Sequence, residues 1–192
     1  FRQQLERERE LLARLEHPAI ARLLDGGVMA DGQPYLVMEL AEGEDLDQWL
    51  RTQRPPLRMR LEVMLEICAA VSEAHAHLIV HRDLKPSNVR VTAEGQVKLL
   101  DFGIAKLLDA EAADGAPGRG DTRALALTPE FAAPEQLRGQ PVSTRSDVYA
   151  LGALLFHLLT GRSPHPGFDG DWASFIQRVC EQDAPAPSRV SE

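Results

Sequence analysis

The chain has 192 residues, 44% of them hydrophobic and 26% charged, with a formal net charge of −8. That length and composition suit a globular domain with a sizeable core, and the acidic balance argues against nonspecific binding to nucleic acid or anionic lipid, which both need a positive field. No run reaches the roughly 18 apolar residues of a membrane span; the longest, residues 149–159, is interrupted by Gly152 and His157.

The chain opens on Phe1, not Met, and is expected to begin inside a longer protein. Phe1, Leu5, Leu12 and Leu15 step by helical intervals, with Leu11 alongside, and predict a helix over residues 1–16 that His17 and Pro18 close. Glu8 falls in that stripe where an apolar residue is expected. An inward carboxylate needs a cation; the alternative is a place at the stripe's edge beside a nearby Arg. Two extended runs, 20–24 and 35–40, are joined through Ala30, Asp31, Gly32 and Gln33, a hairpin signal. A short helix is expected over 45–51. Pro55 and Pro56 then break the chain before a long amphipathic helix, 57–78, with Leu61, Met64, Leu65, Cys68 and Val71 assigned to its buried face. Cys68 and Cys180 both lie in periodic apolar segments and read as buried thiols in a reducing compartment.

Residues 89–91 and 97–100 read as two small strands around the turn at 93–96. Residues 109–121, rich in Ala, Gly and Asp without periodicity, read as a mobile loop. A nearly all-apolar helix is expected over 147–160, capped by Gly161. A last helical stretch runs near 172–180.

Three strings carry chemistry: His81, Arg82, Asp83, Leu84, Lys85, Pro86, Ser87, Asn88; then Asp101, Phe102, Gly103; then Ala133, Pro134, Glu135. Asn88 lies five residues after Asp83, and Asp101 thirteen after Asn88. In that order and spacing they resemble the catalytic loop, metal-binding motif and activation-segment anchor of protein kinases. Lys85 followed by Pro, Ser and Asn, and Thr128 seven residues before Glu135, resemble the serine/threonine branch. Residues 125–136 look especially like the bacterial (Hanks-type) serine/threonine kinases.

The resemblance implies an α+β, two-lobed kinase-like fold, here truncated: residues 1–44 the remainder of the small lobe, with helix C and two strands, and 45–192 most of a mainly α-helical large lobe. It implies transfer of the γ-phosphate of Mg-ATP to Ser or Thr hydroxyls of protein substrates. Asp83 would accept or orient the hydroxyl, Lys85 contact the γ-phosphate, and Asn88 with Asp101 hold Mg²⁺. Glu8 would pair with a strand Lys. Met38 would be the gatekeeper, the backbones of Glu39 and Ala41 would meet adenine, and Asp45 would meet the ribose or simply cap a helix. His81 and Phe102, with Leu12 and Leu23, match the family's stacked spine, and Asp147 would anchor the catalytic loop's amides or simply cap its helix. Arg82 and Lys106 would form a pocket for a phosphate, with Thr122 the autophosphorylation site and Thr128 the residue of the peptide-binding loop.

Three departures qualify this. The family's glycine-rich loop and strand Lys would precede Phe1, so this stretch alone is expected to be inactive. Its last helices, which supply an Arg to Glu135, would follow Glu192. Arg90 stands where the family places an aliphatic floor under adenine, which implies weakened ATP binding with the guanidinium stacked on the purine, or a clash. A pseudokinase acting as a scaffold and a small-molecule kinase of related fold are the alternatives. A cytoplasmic location, or that of a cytoplasmic domain of a membrane-anchored protein, is expected.

Overall fold

The computed structural model describes residues 15–30, 34–102 and 128–190, with Pro34 described by its backbone alone. Of the predicted helix over 1–16, residues 1–14 lie outside the described residues, and Leu15 and Glu16 are not helical.

Strands β1 (Leu23–Val28) and β2 (Pro34–Met38) form an antiparallel hairpin in which Gly27 faces Tyr35 and Leu23 faces Met38. The first strand therefore starts three residues later than its β-branched and leucine-rich onset suggests. Ile20 is used elsewhere: it makes a parallel bridge to Leu99, with Ala21 N–H donating to the Leu99 carbonyl at 2.9 Å and Leu99 N–H to the Ala19 carbonyl at 2.8 Å. This ties the segment before β1 to the second sheet.

That sheet has the order β3 (Glu44–Asp45), β4 (Val89–Val91), β5 (Val97–Leu99), all antiparallel neighbours. Alternation along β4 buries Val89 and Val91 and leaves Arg90 half-buried on the other face, opposite Asp45 on one side and Lys98 on the other. Gly43 admits β3 to this position: at φ +92° a Cβ would lie 2.4 Å from the Val91 carbonyl oxygen.

Helix α1 (Leu46–Gln53) starts where the Asp45 carboxylate accepts the Gln48 N–H at 2.8 Å, and its Leu46 and Trp49 are fully buried. Helix α2 (Leu57–Ala76) packs on α4 (Thr144–Thr160). The face of α2 that is buried carries Val63, Met64, Ile67, Ala70, Val71 and Ala74. The expected stripe is rotated from this one: Leu61 and Leu65 are 41% and 69% exposed, and Cys68 is half-buried. Ala70 and Ala74 on this face are fully buried, so small residues as well as large ones form it. Each fully buried Val, Leu or Ile there contributes on the order of 1.5–3 kcal/mol. Arg60 staples the pair, donating to the Pro55 carbonyl at 2.9 Å and to the Leu158 carbonyl, in the last turn of α4, at 3.1 Å.

Helix α4 is capped by Ser143, whose Oγ accepts the Arg145 N–H, and ends at Gly161 in the left-handed region at φ +70°. A four-residue helix α3 (Pro134–Leu137) precedes it, and α5 (Trp172–Glu181) follows, capped by Asp171. Phe175 and Val179 of α5 pack with Ala132 and Leu137 in a second, smaller core. Cys180, like Cys68, is half-buried and free, a correction to the expectation of fully buried thiols. No helix among the described residues is long and apolar enough to cross a membrane.

Candidate active site

Between α2 and β4 the chain makes no regular structure until the 3₁₀ turn Pro86–Asn88, and it is held instead by one buried carboxylate. Asp147, on the first turn of α4 and 1% exposed, accepts the His81 N–H on Oδ2 at 2.8 Å and the Arg82 N–H on Oδ1 at 2.9 Å. Its Oδ2 also meets His75 Nε2 at 2.8 Å. A buried anion is tolerable here because it receives several donors. His81 is itself fully buried and stacks on Phe102 with ring centroids 4.6 Å apart. Burial holds its pKa below the usual histidine value, against the opposing pull of the Asp147 and Asp83 carboxylates. The ring is neutral near pH 7, which suits a packing group that accepts the Asp83 N–H on Nδ1 at 3.3 Å.

Arg82 takes φ +68°, an unusual value for a residue with a Cβ, and Asp101 takes φ +50°. Two left-handed non-glycine residues at the two ends of the candidate site are the kind of strain that surrounding contacts must impose. After Arg82 the chain presents Asp83. Lys85 Nζ lies 3.0 Å from Asp83 Oδ2, both side chains 18% exposed. Asn88 Nδ2 donates to the Asp83 carbonyl at 2.9 Å and to Asp83 Oδ2 at 3.1 Å. Both amide hydrogens are thereby engaged, and Asn88 Oδ1 has no partner among the described residues. The Asn88 carbonyl accepts the Leu100 N–H at 2.9 Å, which places Asp101 one residue beyond that link with an exposed carboxylate. Asp83, Lys85 and Thr128 line one small open cleft together with Phe131, Gln136 and Ala150.

The sequence model of the protein kinase domain matches residues 1–191. The chain belongs to the protein kinase family. It is 38% identical over 196 residues to a probable serine/threonine-protein kinase of Corynebacterium efficiens, an alignment covering 100% of this chain and 29% of that protein. To the serine/threonine-protein kinase PknB of Mycolicibacterium smegmatis it is 38% identical over 193 residues, 98% of this chain and 30% of that protein. The probable PknB of Lactococcus lactis is 40% identical over 172 residues, 89% of this chain and 26% of that protein. The kinase chain thus spans under a third of the length of these curated relatives.

Other residues singled out from the sequence fall as follows. Met38 ends β2 and is half-buried, as is Ala41 in the loop beyond it. Glu39 N–H donates to the Arg22 carbonyl at 2.9 Å, and the Glu39 carboxylate binds Lys98 Nζ on one oxygen and Arg22 Nε at 3.3 Å on the other. Lys98, Arg22 and their hydrogen bonds hold the Glu39 carboxyl below the usual range. Asp45 engages one carboxylate oxygen as the cap of α1. The Arg90 side chain has no ion pair or hydrogen bond among the described residues, its backbone being part of the β4 ladder. Arg82 keeps a buried Nε without a hydrogen-bond partner among them. Glu135 is half-buried and accepts the Ser146 hydroxyl. Glu8, Leu12, Lys106 and Thr122 lie outside the described residues.

Four contributors had no sequence signal: His75 at Asp147, Lys98 at Glu39, Ser146 at Glu135, and Gln136, whose amide reaches the Arg82 carbonyl. Each meets its partner through the tertiary fold, so neither hydrophobic period nor turn chemistry marks it.

Proposed function

We propose that this chain is the catalytic part of a serine/threonine protein kinase that transfers the γ-phosphate of ATP to Ser or Thr hydroxyls of proteins. The relatives carry that name, and the grouping of Asp83, Lys85 and Thr128 around one cleft, with Asn88 hydrogen-bonded to Asp83 behind them, carries the reading. Residues 1–44 and 45–192 are assigned to the small and large lobes, with the nucleotide between them.

Asp83 orients the acceptor hydroxyl and takes its hydrogen bond, its carboxylate fixed by the Asn88 amide and the Lys85 ammonium. Lys85, already at 3.0 Å from Asp83 Oδ2, offers its remaining donors to the transferring phosphoryl oxygens. Asn88 Oδ1 and the Asp101 carboxylate, both without partners among the described residues, fit a hard cation that takes few protein oxygens and completes its shell with phosphate and water. Mg²⁺ held there would neutralise phosphate charge as the reaction proceeds. Met38, Ala41 and the Glu39 backbone form the adenine side, Asp45 keeps one oxygen for a ribose hydroxyl, and Glu8 serves a strand Lys. Arg90 lies under the base, and its unpaired guanidinium supports nucleotide binding that is retained but weakened.

Arg82, with its buried unpartnered Nε, and Lys106 form the receptor for a phosphate on Thr122. Full-length protein incubated with γ-labelled ATP and Mg²⁺ should place acid-stable label on Ser and Thr, including Thr122 by mass spectrometry. Label absent from every hydroxyl amino acid would overturn the reading, and activity with Thr122 always unmodified would remove its regulatory part.

A further inference from the structure

Gln136 sits on α3, just beyond the segment 128–133 that lines the acceptor side of the cleft. Its side-chain carbonyl oxygen accepts the Ala133 N–H at 3.1 Å, and its amide nitrogen donates to the Arg82 carbonyl at 2.8 Å. Arg82 is the left-handed residue immediately before Asp83, and its N–H is held at 2.9 Å by Asp147. The strained residue is therefore gripped at both ends: by α4 through its N–H, and by the peptide-docking segment through its carbonyl. The direction of the 82–83 peptide plane, and with it the approach of the Asp83 carboxylate, follows from those two bonds. Only a group that is donor on one arm and acceptor on the other fits both partners, which a carboxamide is.

We infer that Gln136 is a positioning residue that couples the peptide-docking segment to Asp83, so that the base is aimed correctly only when residues 128–133 are seated. The inference rests on the reading of Asp83 given above. Asp147, His75, Glu135, Lys85, Asp83 and Arg82 are the ionisable groups around this junction, while the Gln136 side chain bonds to backbone groups, the Ala133 N–H and the Arg82 carbonyl.

Two substitutions in the full-length kinase test this. Gln136→Met keeps length and volume and removes both bonds. Gln136→Glu keeps the acceptor for Ala133 and turns the donor into a second acceptor facing the Arg82 carbonyl; once protonated, it regains a donor. At pH 7.5 both variants should lose about tenfold to hundredfold in kcat for peptide, as a displaced catalytic group does, with affinity for an ATP analogue unchanged. The Gln136→Glu to parent ratio of kcat should climb as pH falls toward 5.5, because the carboxyl opposite a carbonyl protonates above its normal value near 4.3. The surrounding ionisable groups are present in both proteins and cancel in that ratio. Amide exchange at residues 81–84 should quicken in Gln136→Met. A Gln136→Met kcat equal to the parent's, a pH-independent ratio for Gln136→Glu, or parental exchange at 81–84 overturns the inference. If the parent itself transfers no phosphate, the proposed function fails, and the exchange comparison still decides on the coupling.

Discussion

Asn88 donates its side-chain amide to both the carbonyl and Oδ2 of Asp83, at 2.9 and 3.1 Å, so the residue assigned to the metal also fixes the residue assigned to the hydroxyl. On the proposed assignment, binding of the cation and aim of the base share one side chain. Asn88→Asp would set a carboxylate against Asp83 Oδ2 while keeping an oxygen for the metal. Steady-state kinetics on that variant should show kcat reduced about 10²-fold or more, the range for a displaced acid–base group. A kcat equal to the parent's would show that the amide contact does not matter.

Asp147 predicts a stability effect. Removing it leaves the His81 and Arg82 amides and the His75 ring without their acceptor in a buried setting. Breaking such a network costs about 3–5 kcal/mol, and hydrogen bonds to a charged group contribute about 1.5–3 kcal/mol each. Urea unfolding of Asp147→Ala should show an unfolding free energy lower by that amount, whereas exposed Asp169→Ala should change it little.

Stability should also fall on mild acidification. Burial lowers the folded-state pKa of His81 below 6.5, and burial together with Arg178 lowers that of His165. In the unfolded chain both bind protons once pH drops below 6.5. The unfolded state then holds more protons, so stability is full above that pH and declines as pH falls toward the folded values. Glu39 and Asp47, whose pKa values are lowered by Lys98 and by His157, lose their contributions only below 4.5 and 3.8. Urea midpoints measured between pH 7.5 and 5.5 on the parent and on His81→Phe should show the steeper decline in the parent. Parallel slopes would mean that His81 is not the group responsible.

Arg90 makes a nucleotide prediction. It is half-buried between its strand partners Asp45 and Lys98, and its guanidinium has no ion pair or hydrogen bond among the described residues. Arg90→Leu in the full-length kinase should tighten ATP about threefold to tenfold, which is roughly 1 kcal/mol. Calorimetric titration with a non-hydrolysable ATP analogue reads this directly, and weaker binding by the variant would mean that the guanidinium helps hold the base.

The proximity of Asp83, Lys85 and Asn88 was legible because their spacing is local: they lie within one loop and turn, and the order of that loop, a hairpin and Asp101 is read straight off the chain. The helix over 57–76, its proline start and the glycine cap of the 144–160 helix were legible for the same reason. The buried face of α2 was not, since Leu61 and Leu65 lie on its exposed side and the buried face includes Ala70 and Ala74, which hydropathy undervalues. The onset of β1 was misplaced because Ile20 spends its extended backbone on Leu99, a partner far along the chain. His75, Lys98 and Gln136 join their partners over 72, 59 and 54 residues, distances at which no local pattern speaks.

The most direct test of the central claim is single-turnover phosphoryl transfer by the full-length kinase with Asp83→Asn, at saturating Mg-ATP and peptide. The substitution keeps the side chain's size and an acceptor oxygen but removes the charge that Asn88 and Lys85 hold in place. The account predicts nucleotide affinity unchanged and the transfer step slowed by about 10³-fold. Transfer at the parent's rate would contradict it, because Asp83 could then neither orient nor deprotonate the acceptor hydroxyl.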